Sequence, residues 1–250
     1  MFPLKKVKID YFRLMKNQFL LFLLFSNYQF SFGQKKYSFD YAIQYNFQAN
    51  DSSKVQNRFY LTNSKDNSYV LQVTEKDDLN YNLFFIDQNG IASTTYLSKK
   101  DFFDAEIINL KCDFVSRYRN PFKYQTDNYD FINQKDTLIN NISYSMYIIK
   151  SNKPKREKRK RLATLHFVVE KNTDFHLPIL LEITPYEEWK KERNIPNGIP
   201  KQFYFTNYLN NTKTFIYNLV DFVKINRLII IPNECDYTNP DVFTPKIIIR

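Results

Sequence analysis

From Tyr37 to Gln48 the chain alternates without a break. Tyr37, Phe39, Tyr41, Ile43, Tyr45 and Phe47 are large and apolar; Ser38, Asp40, Ala42, Gln44, Asn46 and Gln48 between them are small or polar. Successive side chains of an extended strand point to opposite faces, so this run predicts one long strand with a single buried face. A strand of that kind needs partners on both edges and a core beneath it.

The rest of the chain supplies candidate partners at short spacing. Val55 to Thr62 and Tyr69 to Thr74 flank the polar turn cluster Asn63-Ser64-Lys65-Asp66-Asn67. Leu79 to Ile86 and Ile91 to Leu97 flank Asn89-Gly90, a pair suited to a two-residue hairpin loop in which both positions take positive φ. That loop places Leu83 opposite Tyr96 and Phe85 opposite Thr94. Ile142 to Lys150, Leu162 to Glu170 and Pro178 to Thr184 read as a meander. Gln202 to Asn207 and Thr214 to Ile225 join across Asn210-Asn211, and Arg227 to Ile231 and Lys246 to Ile249 follow. With 24 Phe, 19 Tyr and only three Gly, the composition leans the same way and leaves no flexible linker. Helix signals are few. Thr184-Pro185-Tyr186-Glu187 resembles a capping box opening a helix over Tyr186 to Arg193, ended by Pro196-Asn197-Gly198, and Ser98 is placed to cap a second over Asp101 to Glu106. The expected fold is mainly β: a single curved antiparallel sheet, half-barrel or barrel-like, with one or two short helices.

The N-terminus points to a compartment. After Met15-Lys16 come seven apolar residues, Phe19 to Phe25, and then Ser31-Phe32-Gly33, which sets small residues at −3 and −1 of a signal-peptidase site. Seven residues fall far short of the roughly 20 that span a bilayer as a helix. Residues 1–33 are therefore expected to be a cleaved signal peptide with its true start at Met15. Cleavage near Gly33/Gln34 releases residues 34–250 as one antiparallel β domain, periplasmic or secreted. No cysteine stands at the cleavage site for lipid attachment, and no later segment has the length of a transmembrane helix. Removing five basic residues and one acid with the signal lowers the formal net charge from +10 to +6.

Two cysteines remain, Cys112 and Cys235. In an oxidising compartment they read as a disulfide, and otherwise as two buried thiols. Lys150, Lys153, Lys155, Arg156, Lys158, Arg159, Lys160 and Arg161, with the single acid Glu157, make the strongest local charge. Lying between two strands, they are expected at an exposed, disordered tip. There Lys153, Lys155, Arg156, Lys158, Arg159, Lys160 and Arg161 either contact an anionic surface or are simply solvated. Export and the absence of interleaved aromatic rings argue against nucleic acid.

Catalytic patterns are missing from the sequence. There is no G-x-S-x-G, no H-E-x-x-H and no glycine-rich phosphate loop. The adjacent acids Asp77-Asp78 and Glu187-Glu188 read as solvated pairs. His166 and His176 could be joined with Asp174 and Glu170 in a metal site, but no ligand spacing supports it, and surface histidines are expected. Phe122, Tyr124, Tyr129 and Phe131 in the loop Arg119 to Phe131 are expected to pack locally, and the sole tryptophan, Trp189, belongs to the helix. No enzyme, cofactor or metal is expected.

The stretch Leu165-His166-Phe167-Val168-Val169-Glu170-Lys171-Asn172-Thr173, followed by Leu177-Pro178-Ile179-Leu180-Leu181-Glu182-Ile183, resembles a hairpin of LolA/LolB-like envelope lipoprotein carriers. Thr214 to Ile225, ending in Ile229-Ile230-Ile231-Pro232, resembles the closing part of the same pattern. The resemblance implies a half-barrel that shelters acyl chains, and no site residue carries over from it. Two functions follow as expectations. One is an exported non-enzymatic protein that binds or carries an apolar or amphipathic ligand, such as lipid or lipoprotein, on an aromatic sheet face. The other is an envelope structural or interaction protein with a filled core that meets an anionic surface through the 150–161 tip.

Overall fold

The computed structural model describes residues 34–120 and 126–239. The expected signal peptide, Phe122 and Tyr124, and the expected strand at 246–249 lie outside the described residues.

The elements in chain order are β1 (Lys35–Asn50), β2 (Gln56–Asn63), β3 (Asp66–Glu75), β4 (Asn80–Asp87), β5 (Ile91–Ser98), α1 (Lys99–Asp104), β6 (Ile107–Asn109) and β7 (Val115–Arg117). Then come β8 (Tyr129–Ile139), β9 (Ile142–Ser151), α2 (Pro154–Lys160), β10 (Thr164–Val169), α3 (Ile183–Glu192), β11 (Pro200–Thr206) and β12 (Lys213–Ile231). They form one open sheet in the order β7-β5-β4-β3-β2-β1-β12-β11-β10-β9-β8, mainly β as the alternation predicts. Every pairing on this path is antiparallel, and β6 adds to β12 in parallel.

The long strand β1 organises two cores. On its aromatic face, cross-strand partners line up as a row of rings: Phe47 opposite Tyr217, Tyr217 opposite Phe203, Phe203 opposite Phe167, and Phe167 opposite Tyr147. Their centroids lie 4.8, 4.1, 5.9 and 4.7 Å apart, and the last three pairs are stacked. Such cross-strand aromatic pairs each add about 0.5–1.5 kcal/mol beyond their buried area. Arg58 closes the row, its guanidinium 3.3 Å from the Phe47 ring centroid and donating to the Tyr217 hydroxyl at 2.8 Å. Over this face lie Tyr186 and Trp189 of α3 and Ile179, Leu180, Ile195 and Ile199 of its flanking segments.

The second core occupies the opposite face of β2 to β5. Ala42 pairs with Leu61, Leu61 with Leu71, and Leu71 with Phe85, so these side chains share the face that Tyr41 and Ile43 do not. Tyr37 and Phe39, from the half of β1 beyond its pairing with β2, pack against Tyr69 and Phe85 there, edge-on except for the tilted Tyr37–Phe85 pair. Ile229 and Ile231 of β12, Ile108 of β6 and Phe102 of α1 complete it. The bulges that let β1 and β12 turn this corner are recorded in their register, which shifts between Phe39 and Tyr41 and between Gln44 and Tyr45.

Several local expectations are corrected. The β4–β5 loop holds one residue more than a two-residue hairpin: Asp87 pairs with Ile91, Phe85 with Ser93 and Leu83 with Thr95. The added residue puts Ile91, wholly buried, on the face of Leu83 and Phe85; the expected register would have set it beside Phe84, which is 41% exposed. Asp87 holds the turn, accepting the Asn89 N–H at 2.8 Å and, through its other oxygen, the Tyr37 hydroxyl at 2.7 Å. A two-residue loop with both φ positive occurs instead at Asn140-Asn141, between β8 and β9.

Pro178 to Thr184 is no strand. Its first residues run extended without a ladder and the rest begin α3, so β10 pairs with β11 and the return strand of the quoted hairpin does not form. α3 also starts earlier than the capping box implies: Glu182 is its N-cap and no side chain caps it. At α1 the expectation holds, for Ser98 Oγ accepts the Asp101 N–H at 3.0 Å.

Candidate interaction sites

The basic tip differs from the disordered loop expected. Pro154, pre-set for the first turn, opens the two-turn helix α2, and Arg161 ends it in the left-handed conformation at φ 51°. Lys153, Lys155, Lys158, Arg159, Lys160 and Arg161 are exposed, and no residue of α2 is buried. Arg156 is half-buried and lies 5.2 Å over the Tyr129 ring, which fixes the helix to the end of β8. Pro154 and the last-turn cations Lys158, Arg159 and Lys160, favourable beside a helix C-terminus, are the signals that give this segment a helix.

Cys112 and Cys235 meet, with Cα atoms 5.5 Å apart across 123 residues of sequence. That is the separation at which a disulfide forms without backbone movement. Cys112 sits in a 3₁₀ turn between β6 and β7, and Cys235, 1% exposed, in another just after β12.

The histidines are not gathered. His166 on β10 stacks on Tyr204 at 4.7 Å and shares a 2.7 Å hydrogen bond with the Thr206 hydroxyl. His176 is corrected from a surface residue to a buried one, 1% exposed. The turn that carries it folds back over β2, where the Leu177 N–H donates to the Ser64 carbonyl at 2.9 Å. Its Nδ1–H donates to the Leu177 carbonyl at 2.6 Å, which leaves Nε2 to accept the Thr62 hydroxyl at 2.8 Å. Burial holds this imidazole below the usual histidine range, partly opposed by the Leu177 hydrogen bond and the Asp40 carboxylate. Among the described residues no three His, Cys, Asp or Glu side chains are placed to hold a metal ion.

The acidic pairs are employed in structure. Asp77 accepts the N–H groups of Leu79 and Asn80 in a turn, which lowers its pKa. Glu187 accepts from Asn120 at 2.7 Å and Glu188, buried, from Asn194 at 3.1 Å. Tyr129 and Phe131 belong to β8, and Phe131 packs on Tyr147 at 5.0 Å. Trp189 is buried under α3 with Arg193 3.7 Å over its ring.

The aromatic face that a carrier would use is occupied by the chain itself: Ile43, Tyr45 and Ile199 have no exposed surface there. Accessible apolar space remains at the margin of that face, in a pocket of about 240 Å³ lined by Ile149, Leu165, Ile183, Pro185 and Phe205 beside the start of α3. On the other side of β1, β2 and β12 lies a groove of about 270 Å³ lined by Phe59, Leu61, Phe102, Phe103, Val223 and Ile225, with Asp221 and Arg227 at its rim. The sequence offers no signal for it, because it depends on how far β12 bends.

No protein-family model matches the chain, and no curated protein sequence matches it either. Similar solved structures include the MucA/MucB complex of Pseudomonas aeruginosa, at 5% identity over 74% of this chain and 51% of that one, with a TM-score of 0.39. A crystal structure of MucB is similar at 7% identity over 74% and 53%, TM-score 0.36. A putative outer membrane lipoprotein-sorting protein domain from Vibrio parahaemolyticus is similar at 11% identity over 78% and 86%, TM-score 0.27. The last is a LolA/LolB-like domain, and the resemblance is weak. The chain spans about half the length of the MucB chains. Likeness at this level carries no argument about function.

Proposed function

We propose that the chain is an exported, non-enzymatic interaction protein of the cell envelope, with a filled core, that meets an anionic surface through α2. The observation that carries this reading is the occupied aromatic face. α3 and its flanking segments bury Ile43, Tyr45 and Ile199 completely, so an acyl chain entering the centre of that face would have to displace part of the protein's own core. α2 supplies the contact: Lys155, Lys158, Arg159 and Lys160 are held outward on a helix rather than spread along a random tip, and each adds about 1 kcal/mol near an anionic membrane. Among the described residues no helix is long and apolar enough to cross a membrane.

The test is co-sedimentation with liposomes of phosphatidylglycerol and phosphatidylethanolamine. The exported protein should bind, and Lys155, Arg156, Lys158, Arg159 and Lys160 replaced by Ser should abolish binding, as should raising salt to 1 M, where the Debye length falls to about 3 Å. Binding that survives both changes would remove α2 from the function.

A further inference from the structure

The outer edge of β12 is interrupted. One side of this strand is paired with β1 along its length. On the other side β11 pairs with residues 213–218 and β6 with residues 228–230. Residues 219–227 lie between these two partners, and among the described residues no strand covers them on that side. None of the nine is buried, and Val220 and Val223 are 47% and 51% exposed. At about 3.3 Å per residue the gap is a slot roughly 30 Å long and one strand wide. The Phe222 N–H donates to its neighbour's carboxylate, Asp221 Oδ1, at 2.8 Å.

The apolar groove opens beside this edge and includes Val223 and Ile225 in its wall. At about 270 Å³ it falls below the roughly 300–1,000 Å³ of a small-molecule pocket, while it suits one or two large apolar side chains. An unpaired strand edge with an adjoining pocket is the arrangement by which sheets capture extended peptides: the backbone supplies affinity and the pocket supplies selectivity.

We propose that residues 219–227 of β12 form a strand-addition site for an extended segment of a partner polypeptide whose alternate residues are apolar, one of them seated in the groove. This goes beyond the contact made by α2 and does not depend on it. A second copy of the chain does not fit the slot. Its own β12 carries β11 and β6 along the same edge, and the flanking strands of the two copies would collide before the two slots met. An acyl chain fits the groove but cannot pair with the strand's backbone groups. The bulges in β12 and the exposed Lys224 are also features that keep an edge from pairing indiscriminately, so occupancy calls for a matched sequence.

The experiment is selection of nine-residue peptides from a random display library on the exported protein, followed by amide hydrogen exchange with a selected synthetic peptide. The selected peptides should carry apolar residues at alternate positions and slow exchange within 219–227. Val223→Lys, at a position already half exposed, should weaken them at least tenfold while leaving the unfolding midpoint unchanged. Failure to enrich any peptide, binding that leaves exchange at 219–227 unaltered, or protection of 219–227 that instead rises with protein concentration would each overturn the proposal. None of these results would affect the liposome test of α2.

Discussion

Opening the Cys112–Cys235 link, whose Cα atoms lie 5.5 Å apart, should cost a large share of the protein's stability. The link closes a loop with a sequence separation of 123, spanning everything from β7 to β12. In the chain-entropy model a loop of that length restricts the unfolded state by on the order of 5 kcal/mol. Domains of this kind are stable by about 5–15 kcal/mol in total. The bridge also pins the turn after β12 onto the second core, where Cys235 is fully packed. Urea unfolding of the protein should therefore show a loss of about 3–5 kcal/mol on adding reductant. A Cys112→Ser, Cys235→Ala double variant should start from that lower value and be indifferent to reductant. Alkylation without reductant should label neither cysteine in the native protein. A change below about 1 kcal/mol on reduction, or ready labelling of both thiols, would refute the reasoning.

Two further outcomes follow from buried positions. His176 is kept neutral in the folded protein, so between the folded pKa and the unfolded value near 6.5 the unfolded chain binds the extra proton. Its contribution is complete above pH 6.5 and is lost as pH falls through the folded pKa, at no more than about 1.4 kcal/mol per pH unit. Urea unfolding from pH 7.5 to 5 should show that decline, and His176→Gln should flatten it more than His166→Gln; equal slopes in all three proteins would contradict the assignment. Gly198 holds φ +136°, and a Cβ there would lie 2.4 Å from Val169 Cγ1. Gly198→Ala should cost roughly 1–3 kcal/mol by thermal or urea unfolding, more than Gly90→Ala, whose tightest contact is the Tyr237 carbonyl at 3.3 Å; the reverse order would show that this backbone is not constrained as described.

The features legible in the sequence are those set by local alternation. β1 and the β2–β3 and β11–β12 pairs follow from apolar residues two apart and polar turns between them. The Ser98 cap was equally local. What escaped was decided at long range. The slip of the β4–β5 hairpin is dictated by which face buries Ile91, and that depends on Tyr37, some fifty residues away, bonding to Asp87. Leu177 to Leu181 has the composition of a strand, yet it lies extended as cover over the aromatic face because β11 takes the place beside β10. β8 was hidden because its exposed residues dilute the period of two. The groove and the open edge of β12 could not be read at all, since the edge depends on where β11 and β6 stop along β12 and the groove on how distant strands and α1 meet.

The central claim is that the aromatic face is closed by the protein's own chain, and native mass spectrometry tests it most directly. The protein is to be taken from the exported fraction without detergent or organic solvent. The account predicts a single species with the mass of residues 34–250 and no lipid bound as isolated, and any lipid acquired through α2 from envelope lipid extract should be lost after a 1 M salt wash. A stoichiometric acyl lipid that survives the wash and is retained by Val223→Lys, which obstructs the groove, would contradict it, because that lipid would have to occupy the space now filled by Ile179, Leu180, Trp189 and Ile199.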